Sequence, residues 1–279
     1  MQMDFFSRLI PLYGKESLNK LSKVKVILFG VGGVGSWCAE ALVRSGIKHL
    51  VLVDPDFVVA SNVNRQLPAT KETLGLAKVE VLAKRLTEIV PDVIIEPKIE
   101  IYNPGDAKKF SLESFDVVID AIDSMQAKVD LILSSTEKQV LLFSSLGAAG
   151  RTDPTFVRHS DIWKSVGCPL GKQLRQILRK KGFSGNFEVV YSLENPKTGY
   201  CDISKKGSKP ALGSVVTVTA TFGLTLASLI LNTLLLSQNL GNTVAWYAYS
   251  NHNSYDNSYG PKDALEYLNS LTKDWDNVD

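Results

Sequence analysis

The residues able to do chemistry cluster in the first half of the chain. Gly30-Val31-Gly32-Gly33-Val34-Gly35 is a glycine turn, and Asp54 closes the apolar run that follows. Glycines at Gly30, Gly32, Gly33 and Gly35 let a backbone approach a phosphate at a helix N-terminus, while a carboxylate such as Asp54 accepts hydrogen bonds from ribose hydroxyls. That is the chemistry of a nucleotide site, although the turn does not identify the nucleotide. Two cations and a second carboxylate narrow it. Arg65 lies in the polar run Ser61-Asn62-Val63-Asn64-Arg65-Gln66, Lys78 follows in the early turns of a helix, and Asp123 ends a later strand. A dinucleotide has two phosphates and no metal, so Arg65, Lys78 and Asp123 point to a triphosphate with magnesium, Asp123 holding the ion. Two plainer roles stay open here: Lys78 as a solvated helix residue and Asp123 as a helix N-cap.

These residues need elements to place them. Lys23 to Phe29 is short and β-branched and runs into the glycine turn, after which Ser36 to Ser45 has helical periodicity. His49 to Val53 reads as a second strand, Thr73 to Val90 as a helix stopped by Pro91, and Val93 to Ile95 as a third strand. Phe115 to Ile119 and Val140 to Ser145 read as strands four and five. Continuous apolar strands alternating with helices imply an α/β, Rossmann-like, mainly parallel sheet flanked by helices. Beyond Gly147 the pattern adds strands near Thr155 to Arg158 and Phe187 to Ser192, a basic helix from Leu170 to Lys181, and a helical C-terminal part. We expect a single domain over 1–279, with a nucleotide-binding half over 1–150, a substrate-facing half over 151–240 and a peripheral tail over 241–279.

Composition excludes several classes. With 44% hydrophobic and 22% charged residues in 279, the chain is neither disordered nor fibrous. Cys38, Cys168 and Cys201 are widely spaced and form no CxxC pair, which speaks for a reducing, cytoplasmic setting and against a cysteine-built zinc site. MQMDFFSRLIPLYG contains no apolar run of signal-peptide length. The stretch 212–236 is apolar and long enough to cross a bilayer, but its Ser, Thr, Asn and Gly content fits a core helix better, and no membrane partner is expected. Net charge is +2, yet residues 158–209 hold eleven Lys or Arg against four Asp or Glu. Such a basic region is the footprint of a polyanion, or else a solvated face. In its helix Leu174, Ile177 and Leu178 form an inward stripe that leaves Lys172, Arg175, Arg179, Lys180 and Lys181 as candidate nucleic-acid contacts. Trp163, Phe183 and Tyr200 are candidates for stacking on bases, with a core role the commoner alternative.

GVGGVG, the Asp54-Pro55-Asp56 strand end, SNVNRQ, Leu76-Ala77-Lys78 and DAIDS (Asp120 to Ser124) together resemble the adenylating family of ubiquitin-activating enzymes and the bacterial activators of sulfur-carrier proteins, over Phe5 to Leu236. SWCAEALVRSGI, DAIDSMQAK, LGAAGRTDPT, PLGKQLRQILRKKGF, VVYSLENP and TVTATFGLTLAS are similar to the branch that dehydrates threonylcarbamoyladenosine in tRNA. The resemblance implies ATP and Mg2+ as ligands. It assigns Asp54 to the ribose, Asn62, Arg65 and Lys78 to the phosphates and Asp123 to the metal ion, with Asp56, Gln66 and Ser124 in the same site. It makes Arg8 of the segment FFSRLIPLYG a residue that reaches the triphosphate of a neighbouring subunit, hence a homodimer. It implies a tRNA substrate, adenylation of the threonyl carboxylate and ring closure with loss of water. It leaves room for a monovalent cation, for a sulfur-transfer protein as a further partner, and for a role of Cys201. Sulfur-carrier activators usually have a four-cysteine zinc site, and a chain with three cysteines cannot build one. Three alternatives differ in their ligands: an activator of a ubiquitin-like or sulfur-carrier protein, an NAD-dependent oxidoreductase resting on the glycine turn and Asp54 alone, and a non-catalytic nucleotide-gated scaffold.

Overall fold

A computed structural model describes residues 5–197 and 212–239. In chain order its elements are α1 (Ile10–Leu21), β1 (Lys25–Phe29), α2 (Gly35–Arg44), β2 (His49–Val53), α3 (Lys78–Ile89), β3 (Ile94–Lys98), β4 (Val117–Asp120), α4 (Met125–Glu137), β5 (Leu141–Ser145), β6 (Val157–Asp161), α5 (Pro169–Lys180), β7 (Glu188–Ser192) and α6 (Val216–Asn239). All seven strands form one sheet in the order β3-β2-β1-β4-β5-β7-β6, and every pairing is parallel except β6 with β7.

Burial explains the order. Val26, Ile27, Leu28 and Phe29 of β1 and Val117, Val118 and Ile119 of β4 are all buried, as strands covered on both faces must be. β3 contains Pro97, which lacks an N–H and therefore suits a sheet edge, and most of its side chains are exposed. β6 closes the opposite edge with the polar residues Arg158 and His159. The sheet reverses direction of growth between β1 and β4. In open α/β sheets that switch point, at the C-terminal ends of the strands, is where ligands bind.

Two expected boundaries move for local reasons. The third helix begins at Lys78 and not at Thr73, because Lys71–Thr73 forms a short 3-10 turn and Gly75 takes φ +81°. β6 begins at Val157, since Pro154–Phe156 is a 3-10 turn whose Thr155 N–H is capped by Asp153 Oδ1 at 2.8 Å.

Met1–Ile230 forms one compact unit, which holds every strand described, and Leu231–Asp279 a second, described only as far as Asn239. Val216–Leu235 is long and apolar enough to cross a membrane by length and composition. Within the first unit, however, Val218, Phe222, Leu226 and Ala227 are buried. A Cβ on Gly223 would lie 2.5 Å from the Val34 carbonyl and 2.9 Å from the Cys38 amide. α6 therefore touches α2 backbone to backbone, as the core-helix expectation requires.

Candidate active site

The glycine loop is built by contacts that exclude side chains. Gly30 has φ +90°, and a Cβ there would stand 2.6 Å from the Ala121 carbonyl oxygen at the end of β4. A Cβ on Gly35 would stand 1.9 Å from the Gly30 carbonyl oxygen, so the loop doubles back on the first turn of α2. That helix start has no side-chain cap, and of its first amides the Ser36 N–H turns back onto the Gly32 carbonyl (3.1 Å). Asp54, at the end of β2, is buried and accepts from the Val31 N–H (2.8 Å) and the Asp56 N–H (2.9 Å), locking the loop to the strand. Burial pushes its carboxyl above the ordinary aspartate range, opposed by those two amides and by the charge of Lys78.

A cavity of about 840 Å³ opens over these strand ends. It is lined by Gly30, Gly32, Gly33, Asp54, Asp56, Asn62, Arg65, Gln66, Lys78, Asp123 and Ser124, so eleven of the twelve residues expected at the nucleotide meet there. Gly35 is the exception: it shapes the loop from behind. Lys78 is buried and pairs with Asp56 Oδ2 at 2.7 Å, which removes the solvated-helix alternative. Arg65 Nη1 donates to the Ser61 carbonyl (2.7 Å) and Asn64 Oδ1 (2.9 Å), while its own carbonyl accepts from Trp37 Nε1 (3.1 Å). The loop carrying Arg65 is thus stitched to α2. Asn62 Oδ1 accepts from the Val59 N–H at 3.1 Å, and Gln66 Oε1 is buried without a partner among the described residues.

Asp123 is exposed and makes no hydrogen bond or ion pair among the described residues. It is not the cap of α4, because Ser124 occupies the N-cap position. No group of three or more His, Cys, Asp or Glu that could hold a metal occurs among the described residues. A divalent ion here has one free carboxylate available, with phosphate oxygens and water to complete its shell; that donor set fits Mg2+, which keeps several waters and takes few protein ligands.

Two buried cations escape sequence reasoning. Lys128 of α4 is fully buried and donates to Asp120 Oδ2 (2.6 Å), the Ser145 carbonyl (3.0 Å) and Ser144 Oγ (3.3 Å). Asp120 also accepts from Ser144 Oγ (2.6 Å) and, through Oδ1, from the Ile122 N–H (3.1 Å), so it anchors the segment that leads to Asp123. Arg151 lines the same cavity at 2% exposure. Both residues stand inside the motifs DAIDSMQAK and LGAAGRTDPT, but a lone basic residue carries no periodic signal of burial.

Arg8 is exposed in the turn before α1, outside the cavity wall, and has no partner in its own chain among the described residues. On α5, Lys172, Arg179, Lys180 and the flanking Lys181 are exposed, while Leu174 and Leu178 are buried. Arg175 is half-buried and donates to Ser165 Oγ, so it is already engaged within the fold. Trp163 is held inside by a bond from Nε1 to the Gly185 carbonyl (2.9 Å) and by Phe183, with the Arg179 guanidinium 5.3 Å from its ring centre. Tyr200, Cys201, Lys205, Lys206 and Lys209 lie outside the described residues.

The sequence profile of the ThiF family matches residues 6–261. The tRNA threonylcarbamoyladenosine dehydratase of Haemophilus influenzae is 34% identical over 80% of this chain and 90% of its own. That of Bacillus subtilis is 39% identical over 72% of this chain and 79% of its own. The crystal structure of Escherichia coli tRNA N6-threonylcarbamoyladenosine dehydratase, TcdA, in complex with ATP is similar at a TM-score of 0.78 and 32% identity, covering 85% of this chain and 96% of that one. The AMP complex of the same enzyme matches with a TM-score of 0.76 at 32% identity, over 84% of this chain and 95% of that one.

Proposed function

The chain belongs to the ThiF family, and from that premise we propose that it dehydrates threonylcarbamoyladenosine in tRNA at the expense of ATP. The observation supporting this most strongly is the meeting of Asp54, Arg65, Lys78 and Asp123 in one cavity over the glycine loop. A carboxylate is a poor electrophile because its leaving group is oxide. In the proposed reaction the threonyl carboxylate attacks the α-phosphorus, pyrophosphate departs, and the acyl adenylate is captured by the neighbouring ureido group with release of AMP. The capture is intramolecular and so has a high effective concentration, which makes a covalent enzyme intermediate unnecessary.

The protein's own work is electrostatic. Arg65 and Lys78 bind the phosphates and stabilise charge developing on the transferred phosphorus and the departing pyrophosphate, each worth roughly 3 kcal/mol when aimed at the transition state. Asp54 orients the ribose. Asp123, assisted by Ser124 at the start of α4, would hold Mg2+, whose chemistry is charge neutralisation across the phosphates. Arg8 completes the site of a second copy in a homodimer, consistent with its exposure and its lack of an internal partner among the described residues. Lys172, Arg179, Lys180 and Lys181 contact tRNA phosphates, which position the substrate without reading its sequence.

Incubation with ATP, magnesium and threonylcarbamoyl-modified tRNA, followed by nucleoside mass analysis, tests the proposal. It expects a nucleoside lighter by one water. No mass change with a folded preparation, or ATP–pyrophosphate exchange elicited by a carrier protein and not by tRNA, would refute it.

A further inference from the structure

Arg151 is a buried cation without a counter-ion among the described residues. Its Nε donates to the Glu194 carbonyl (3.0 Å), and Nη1 donates to the Ala149 carbonyl (3.2 Å) and to the Gly147 carbonyl. Nη2 is buried and has no partner among the described residues. No ion pair to Arg151 occurs among the described residues; the carboxylate of Glu194 accepts from the Thr152 and Asp153 amides and lies beside Lys197. A guanidinium does not shed its proton, and a desolvated charge left unpaired is costly. Tying down the turn after β5 accounts for Nε and Nη1, but neutral donors would serve that purpose. The charge itself and Nη2 remain to be explained.

The surroundings point to an anion. Arg151 shares the cavity wall with Gly147 and with Cys168, Pro169 and Leu170 at the N-terminus of α5, a twelve-residue helix whose start has no side-chain cap. A Cβ on Gly147 would be 3.7 Å from Leu170 Cβ and 3.8 Å from both Arg151 Nη1 and Cys168 Sγ, so helix start and guanidinium converge on a position kept free of a side chain. The helix dipole adds to the positive potential there. β5 is two strands from β1 in the sheet, about 10 Å at the usual strand spacing, so this corner of the cavity lies to the side of the glycine loop.

We propose that Arg151 and the start of α5 form the binding site for the carboxylate of the acyl substrate. This rests on the adenylation reading above and adds to it how one anion is held beside another. One carboxylate oxygen stays on the guanidinium while the other attacks the α-phosphorus. The bond from that phosphorus to its bridging oxygen breaks, and pyrophosphate leaves with the electron pair. The oxygen retained on Arg151 becomes the carbonyl oxygen of the mixed anhydride. When the ureido group attacks the acyl carbon, negative charge returns to that same oxygen; AMP then leaves with the carbon–oxygen electron pair, and the attacking atom gives its proton to solvent. Arg151 thereby serves both steps.

The test measures filter retention, without ATP, of one tRNA in three forms: carrying the threonylcarbamoyl carboxylate, its methyl ester, or unmodified adenosine. Wild-type protein is expected to prefer the free carboxylate over the ester roughly 10- to 100-fold, the range for a hydrogen-bonded charge. R151Q is expected to abolish that preference while leaving ATP affinity and retention of unmodified tRNA within about twofold, and R151K to keep part of it. Equal affinity of the wild type for acid and ester overturns the proposal and needs no variant to fold. Equal weakening of all three forms by R151Q would identify the anion as a backbone phosphate and also overturns it. A wild-type protein that retains the acid form preferentially but never dehydrates it with ATP leaves the anion site standing and refutes the adenylation reading.

Discussion

Replacing Lys128 with Met gives the sharpest test of how the site is held. Lys128 and Asp120 are both fully buried and 2.6 Å apart, and the ammonium is satisfied by one carboxylate, one hydroxyl and one carbonyl. Methionine fits the volume but strands the carboxylate with only Ser144 Oγ and the Ile122 amide. Breaking a buried pair from one side costs about 3–5 kcal/mol, and at roughly 2–4 °C per kcal/mol for a unit of this size the melting midpoint should fall by about 6–20 °C. The double variant K128M/D120N removes the stranded charge and should recover more than half of that loss. The asparagine keeps an amide oxygen to accept from the Ile122 N–H, so the double variant's KM for ATP should recover together with its stability. Calorimetry on the four proteins of the cycle, with initial rates on the same preparations, reads both effects. A K128M protein melting within about 2 °C of wild type would refute the reasoning, since it would mean that the pair is hydrated or unimportant.

Other outcomes follow from single residues. Burial raises the Asp54 carboxyl, so acidification protonates it at a higher pH than an ordinary aspartate. ATP affinity, measured by calorimetric titration, should therefore begin to fall above the usual carboxylate range and recover as pH rises, while Asp54→Asn should bind weakly with a flat profile. The same raised value means that ionisation of Asp54 costs the ligand-free fold stability as pH rises, an effect that bound nucleotide should reduce. Asp123→Ala should abolish pyrophosphate release and leave tRNA retention on filters nearly unchanged; loss of both contradicts its placement at the phosphates. Reversing Lys172, Arg179 and Lys180 to Glu should weaken tRNA binding with ATP binding intact. It should also flatten the salt dependence, by about 0.7–0.9 in log–log slope for each phosphate that the variant no longer neutralises. Unchanged slope removes α5 from the tRNA surface.

What the sequence disclosed was whatever local rules constrain. Gly30 must be glycine because of its φ and the Ala121 carbonyl, and Gly35 because of the Gly30 carbonyl, so the turn is visible as a motif. β1, β2, β4 and β5 are visible because strands covered on both faces must be continuously apolar. Lys78 was visible as a cation but not as a buried one, since its burial depends on Asp56, twenty-two residues away in sequence. Arg151 and Lys128 were hidden for the same reason: each is desolvated by strands and turns distant in the chain, and no periodicity records it. Arg175 looked like its neighbours on α5, and only the position of Ser165 after β6 turns it inward. The late start of α3 was hidden because Leu74 and Leu76 continue the apolar spacing of the helix although both are exposed in the turn that precedes it.

The activated carboxylate is the centre of the account, and isotope transfer reports on it directly. With a heavy oxygen isotope in the threonyl carboxylate of the tRNA, one turnover should place the label in AMP and none in pyrophosphate. Label in inorganic phosphate with release of ADP, or AMP formed without label, would contradict it.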